Sequence, residues 1–302
     1  MLGGMDDIEV GARARELAAA LEAVAGQVYF SPECHAAYEA LGFGPSPATT
    51  GDGVHLPDGP AYFTSRGSAL GQVPGEVVAS AFAVFNPAVV VPCVAIGWDL
   101  TDAPTIAAAR TAGATAQLVR ILGAAPEGLD DVNELLARAV APLRPEGRPL
   151  YSGVLSLGLP GDPVGDMWRR ADLLREFRGD AHTAAWTSAG FDACEIGLLT
   201  ELYWGLPMGS YIRTRAWSAE EIDEAKGRLR HRGLVDSDEL SDAGRTAREA
   251  VEVTTDLQLR PAVEAVGDDF DQLVTPLRSW SEQIRAAAGY LASGPHDLAA
   301  SR

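Results

Sequence analysis

The chain has 302 residues, 47% of them hydrophobic, which is long for one core and suits two closely packed units. Its formal charge is −18, with a single lysine (Lys226) against 23 arginines, so it repels polyanions at long range and any nucleic-acid contact needs a local basic face. The longest apolar run, AFAVFNPAVVVPCVAIGW, is broken by Asn86, Pro87 and Pro92 and makes a poor membrane span. The N-terminal stretch is acidic and amphipathic, unlike a signal peptide, so no membrane partner is expected and the expected location is the cytoplasm.

Residues 6–25 place Ile8, Ala12, Leu17, Leu21 and Val24 at near-helical spacing. SPECHAAYEALGFG has a clear start and stop: Ser31 caps, Pro32 fits the first turn, Glu33 suits the dipole, and Gly42 and Gly44 end the helix. Residues 44–60, dense in Gly and Pro, read as a loop. A helix is expected from Pro74 to Phe85, with Val78, Phe82 and Phe85 on one face and Asn86-Pro87 stopping it. Two more follow over 102–123, capped by Thr101 or Asp102, and 127–143. A proline-bearing link leads to a helix near Asp166–Phe177. Gly179-Asp180 then interrupts, and Asp180 is expected to cap a new helix to about Ser188.

Gly190–Gly205 predicts another helix. After it, Ser218 with Glu221 three residues on forms a capping box, with Ile222 and Leu229 inward and Gly233 as terminator. GLVDSDELSDAGR reads as a short hairpin, followed by a long helix broken at Pro261 and a last helix over 267–291. The expected fold is mainly α: a helical N-terminal domain (1–145), a linker and connecting helix (146–180), a winged-helix-like domain with C-terminal dimerisation helices (181–292), and a flexible tail (293–302).

The stretch from about Ala185 to Asp256 resembles a winged helix-turn-helix of the MarR type, carried by RLRHRGLV, the short wing and LSDAGRTAREAVE. Most of residues 28–290 resembles a family of actinobacterial, SCO-type uncharacterised helix-turn-helix domain proteins. The matching stretches are VYFSPECHAAYEALGF, AYFTSRGSALGQVPGEVVASAF with FNP, LLREFRGDAH and SAEEIDEAKGRLRHRGLV. That resemblance implies the fold, and it implies for some members a cofactor-free part in natural-product pathways. In such a fold the helix before the wing would enter the major groove. Here its first half holds Glu220, Glu221, Asp223 and Glu224, and residues 213–260 carry nine Lys/Arg against eleven Asp/Glu, a net of −2. DNA is therefore disfavoured by charge. The residues that would touch it are Arg213, Arg215, Lys226, Arg228 and Arg230.

Two groups could carry small-molecule chemistry. Arg178, His182 and Trp186, spaced by four, would hold an anion, shuttle a proton and cover an apolar ligand. Tyr62, Ser65 and Arg66, with Glu76 and Asn86, form the second: Arg66 could clamp an anion bidentately, with Glu76 as its ion-pair partner or a base. The expected proton carriers are His182, Asp180 and Glu76. Each group also has a structural reading, in which Asp180 is a cap, Arg178 holds a helix end and Arg66–Glu76 is a simple ion pair. Cys34, Cys93 and Cys194 are widely spaced, and neither a metal site nor a nucleotide-binding fingerprint is present, so no cofactor is expected. The first expectation is a cofactor-independent ligand-binding protein or enzyme of actinobacterial specialised metabolism, doing acid–base, elimination or ring-closure chemistry on an anionic substrate. It would be a homodimer or paralogous heterodimer. The alternatives are a MarR-like, ligand-responsive regulator and a non-catalytic assembly partner.

Overall fold

The computed structural model describes residues 5–292, and the tail expected over 293–302 lies outside them. Helix α1 (Asp7–Gly26) is capped by Asp6, and its fully buried positions Val10, Ala14, Leu17, Ala23 and Val24 face the interior. Helix α2 (Pro32–Ala40) has Ser31 as cap and proline in its first turn, as its sequence predicts.

Helix α3 (Gly59–Gly67), capped by Asp58, starts at the end of the stretch that reads as loop, and helix α5 (Pro87–Leu100), capped by Asn86, occupies the broken apolar run. Both begin with proline in the first turn, where the missing N–H costs nothing. They pack closely because Gly97 has no side chain: a Cβ there would meet the Thr64 hydroxyl at 1.8 Å. Between them lies α4 (Gly75–Phe82), which ends before Phe85. The chain turns at Ala83, whose φ is 51°.

Helices α6 (Ala103–Leu122, capped by Asp102) and α7 (Leu129–Val140) are close to expectation. The link after them contains a further helix, α8 (Pro149–Ser156). Helix α9 (Pro163–Ser188) is the axis of the molecule. It runs unbroken for 26 residues, about 39 Å at 1.5 Å per residue, through Gly179-Asp180. The expected interruption there is thus corrected. An interior glycine costs a helix roughly 1 kcal/mol, and burial of Leu174, Phe177, Ala181 and Ala185 on either side offsets it. Asp180 caps a different helix, accepting a hydrogen bond from the Tyr151 N–H of α8 at 2.9 Å.

The remaining elements are α10 (Ala193–Tyr203), a 3₁₀ turn (Ile212–Arg215), α11 (Ala219–His231), the antiparallel hairpin β1 (Val235–Asp236) and β2 (Glu239–Leu240), then α12 (Asp242–Leu257), α13 (Arg260–Val266) and α14 (Phe270–Ala286). The Ser218–Glu221 capping box of α11 and the break before Pro261 are present as read. The protein is mainly helical, and this hairpin is the one paired sheet among the described residues. No single described helix is long and apolar enough to cross a membrane.

Two of the buried clusters draw residues from α9. The largest joins α1, α6, α7, α13 and α14 around Leu17, Leu118, Leu136, Trp168 and Leu273. A second joins α10, α11, the hairpin and α12 around Ile196, Leu199, Leu229 and Val251. A third, aromatic, lies among α3, α4 and α5. The C-terminal helices therefore bury Val263, Leu273, Leu277 and Ile284 in the core with α1, away from the hairpin part.

Candidate functional site: an arginine-lined cavity

The seam where the second and third clusters approach α9 encloses a cavity of about 190 Å³. Tyr62 and Arg66 reach it from α3, Phe82 from α4 and Phe85 from the turn after it. Arg175, Arg178 and His182 come from α9, Arg215 from the 3₁₀ turn and Arg248 and Glu252 from α12. Two groups more than 100 residues apart in the chain thus meet in one place. Five lining arginines (66, 175, 178, 215, 248) face three lining glutamates (22, 176, 252), a net of +2 before His182 is counted. On a chain of charge −18 this concentrates positive charge in one interior space.

Four of the five arginines have carboxylate partners. Arg66 binds Glu176 bidentately at 3.1 and 2.7 Å, and Glu176 is also 3.3 Å from Arg175. Arg175 reaches Glu22 at 3.1 Å. Arg178 reaches Glu252 at 2.5 Å and Asp256 at 2.9 Å, and Arg248 reaches Glu252 at 2.6 Å. Burial alone would push the Glu176 and Glu252 carboxyls up, but the flanking guanidiniums outweigh it and hold both below the usual range. Asp256 goes the other way: burial raises it, the facing Arg178 offsetting only part of the rise. His182 presents Nδ1 to the Thr255 hydroxyl at 3.2 Å.

Arg215 differs. Among the described residues it forms no ion pair. Its Nη2 donates to the Tyr211 hydroxyl, its Nε is buried without a hydrogen-bond partner, and its guanidinium lies over the Phe85 and Tyr211 rings at 4.7 and 4.4 Å.

Not every expected site residue joins the cavity. Glu76 is exposed in the first turn of α4, and the partner of Arg66 is Glu176, so the Arg66–Glu76 pair is corrected. Ser65 is buried with its hydroxyl on the Tyr62 carbonyl at 3.3 Å, outside the lining. Trp186 packs into the second cluster and does not cover the cavity. Asp180 is likewise outside it, held against α8, and burial pushes its carboxyl up to about 7. The acid–base set of His182, Asp180 and Glu76 is therefore not assembled. Only His182 faces the cavity.

Asn86 caps α5 through Ala88 N–H and donates from Nδ2 to both Glu221 oxygens at 3.0 and 3.2 Å. It is a strut between the α5 start and the α11 start. Glu176, Arg175, Arg248 and Glu252 also line the cavity, beyond the residues that the sequence motifs single out. A signal for the last two existed in Arg248-x3-Glu252-x3-Asp256, charges every fourth residue along one helix face.

The cations that would meet DNA are largely engaged. Lys226 pairs with Asp223 at 3.3 Å, Arg228 with Asp192 at 2.6 Å and Glu195 at 3.2 Å, and Arg230 with Asp238 at 3.2 Å. Arg213 is exposed and unpaired among the described residues, and Arg215 faces the cavity.

The comparisons with known proteins give one family. Its model, described as a helix-turn-helix family, matches residues 14–291. The chain belongs to that helix-turn-helix family. No curated protein and no solved structure matches it.

Proposed function

We propose that this helix-turn-helix protein binds a small anionic molecule in the arginine-lined cavity. The observation that carries the reading is the excess of arginine over glutamate around one interior space in a strongly acidic chain. A cavity of about 190 Å³ has room for roughly a dozen non-hydrogen atoms, at the ~10–15 Å³ that one water needs. Its aromatic lining (Tyr62, Phe82, Phe85, Trp204, Tyr211) suits a partly apolar body.

The test uses a pair of matched compounds of the right size, 4-iodobenzoate and its neutral amide. The carboxylate should raise the melting temperature of the protein and the amide should raise it much less, since binding to the native state alone stabilises by mass action. Equal behaviour of the two, or no shift with either, would sink the reading.

A second reading, a MarR-like regulator, is favoured by the family and by the order α10, α11, hairpin, α12, in which α11 would be the recognition helix and the hairpin the wing. The acidic first half of α11 and the internal pairing of Lys226, Arg228 and Arg230 oppose it. With α11 as a packing element, the protein should show no binding to duplex DNA from its own promoter even at about 50 mM salt. Tight binding that weakens steeply with salt would establish the regulator instead.

A further inference from the structure

We propose that Arg215 is the residue that receives the anion, and that the group it takes is a carboxylate on a flat, apolar body. This rests on the cavity being a ligand site.

The four other arginines of the cavity are already neutralised by buried glutamates and by Asp256. A ligand anion brought to any of them competes with a carboxylate already in place, and like charges at that range repel. Among the described residues, Arg215 has no carboxylate partner, and the Tyr211 hydroxyl is its one side-chain hydrogen-bond partner. Its buried Nε has an unused proton, and a buried donor without an acceptor is costly enough that a ligand supplying one gains by it. A planar guanidinium with two neighbouring donors matches the two oxygens of a carboxylate. The Phe85 and Tyr211 rings beneath the guanidinium leave a flat apolar wall beside the charge. That wall favours an aromatic acid over a compact, strongly hydrated anion such as phosphate.

The position of Arg215 gives the anion a second consequence. Its backbone carbonyl accepts from Asn86 N–H at 2.9 Å, and two residues on, the Trp217 indole donates to the Val84 carbonyl at 2.9 Å. Asn86 in turn holds Glu221 of the α11 capping box. The segments 83–86 and 211–221 are therefore laced together around the charge. An anion seated on Arg215 tightens the joint from which α11 starts.

The experiment measures the affinity of the full chain and of three variants for 4-iodobenzoate, 4-iodobenzamide and inorganic phosphate. Arg215→Ala should weaken 4-iodobenzoate binding by about ten-fold or more, the size of a lost charge-assisted contact, and leave the amide unchanged. Arg215→Lys keeps the charge but not the two-donor edge. It should lose about three-fold or more, and it serves where the alanine variant does not fold. Arg213→Ala, at an exposed site on the same turn, should match the parent. In the parent, 4-iodobenzoate should also slow amide exchange over 83–86 and 211–221.

Unchanged affinity in both Arg215 variants overturns the proposal while leaving the cavity reading intact, with the anion on one of the paired arginines. Phosphate binding tighter than 4-iodobenzoate and lost with Arg215 overturns the carboxylate assignment. If the parent protein binds none of the three compounds, the proposal and the cavity reading fail together.

Discussion

Replacing Glu252 by alanine should destabilise the protein by about 3–5 kcal/mol, the usual consequence of removing one partner from a buried ion pair. Glu252 joins Arg178 of α9 to Arg248 of α12, and the side chains of all three are at least nine-tenths buried. Without it Arg248 keeps only the Thr200 hydroxyl at 3.3 Å, and Arg178 keeps only Asp256. The desolvation already spent on both cations is then uncompensated. For a chain of this size the melting temperature should fall on the order of 10 °C. Glu252→Gln, which retains the shape and one acceptor, should lose less. Because either change deletes a negative charge from the cavity lining, the glutamine variant should also bind 4-iodobenzoate more tightly than the parent. A melting temperature within a degree or two of the parent for the alanine variant would show that the network contributes little to joining α9 and α12.

Asp180 gives the second large effect, and its sign is opposite to that of a normal surface carboxylate. Burial raises its carboxyl to about 7 in the folded chain, against about 3.9 when unfolded. Below the unfolded value both states hold the proton and the contribution is complete. As pH rises towards the folded value, the unfolded chain releases its proton first, so stability is lost with rising pH. Between pH 5 and 8 the loss from this one group is about 3 kcal/mol, two units at 1.36 kcal/mol each. Asp180→Asn keeps an acceptor for Tyr151 N–H and cannot ionise. The variant's advantage over the parent should therefore grow by roughly 3 kcal/mol between pH 5 and pH 8. Denaturant titrations at the two pH values measure the difference. A variant no more stable than the parent at pH 8 would mean that Asp180 is ionised there without penalty.

The parts legible in the sequence are those written locally. The caps at Ser31, Asp102 and Ser218, the capping box with Glu221, the hairpin after Gly233 and the break before Pro261 each depend on residues within a few positions of one another. The misread parts depend on distant neighbours. Gly179-Asp180 carries a local signal for a break, yet α9 continues because helices from both ends of the chain pack on it. The proline-led helix α5 lies in an apolar run broken by Asn86, Pro87 and Pro92, and it packs closely on α3 at Gly97.

The site followed the same division. Tyr62, Arg66, Arg178 and His182 were identifiable by residue type and do share one cavity. Closeness in sequence points from Arg66 to Glu76, while the true partner, Glu176, lies 110 residues away. Arg215 stands out in the sequence by its charge, but its place beside Phe85 depends on the turn at Ala83 that precedes Phe85.

The central claim is that an anion occupies this cavity, and the most direct measurement is an anomalous-scattering map of a crystal grown with 4-iodobenzoate. An iodine peak inside the cavity, among Phe82, Phe85 and Trp204 with its carboxylate turned to Arg215, is the predicted result. Iodine found only on the outer surface, with the cavity unchanged at a concentration that saturates the protein in solution, would contradict it.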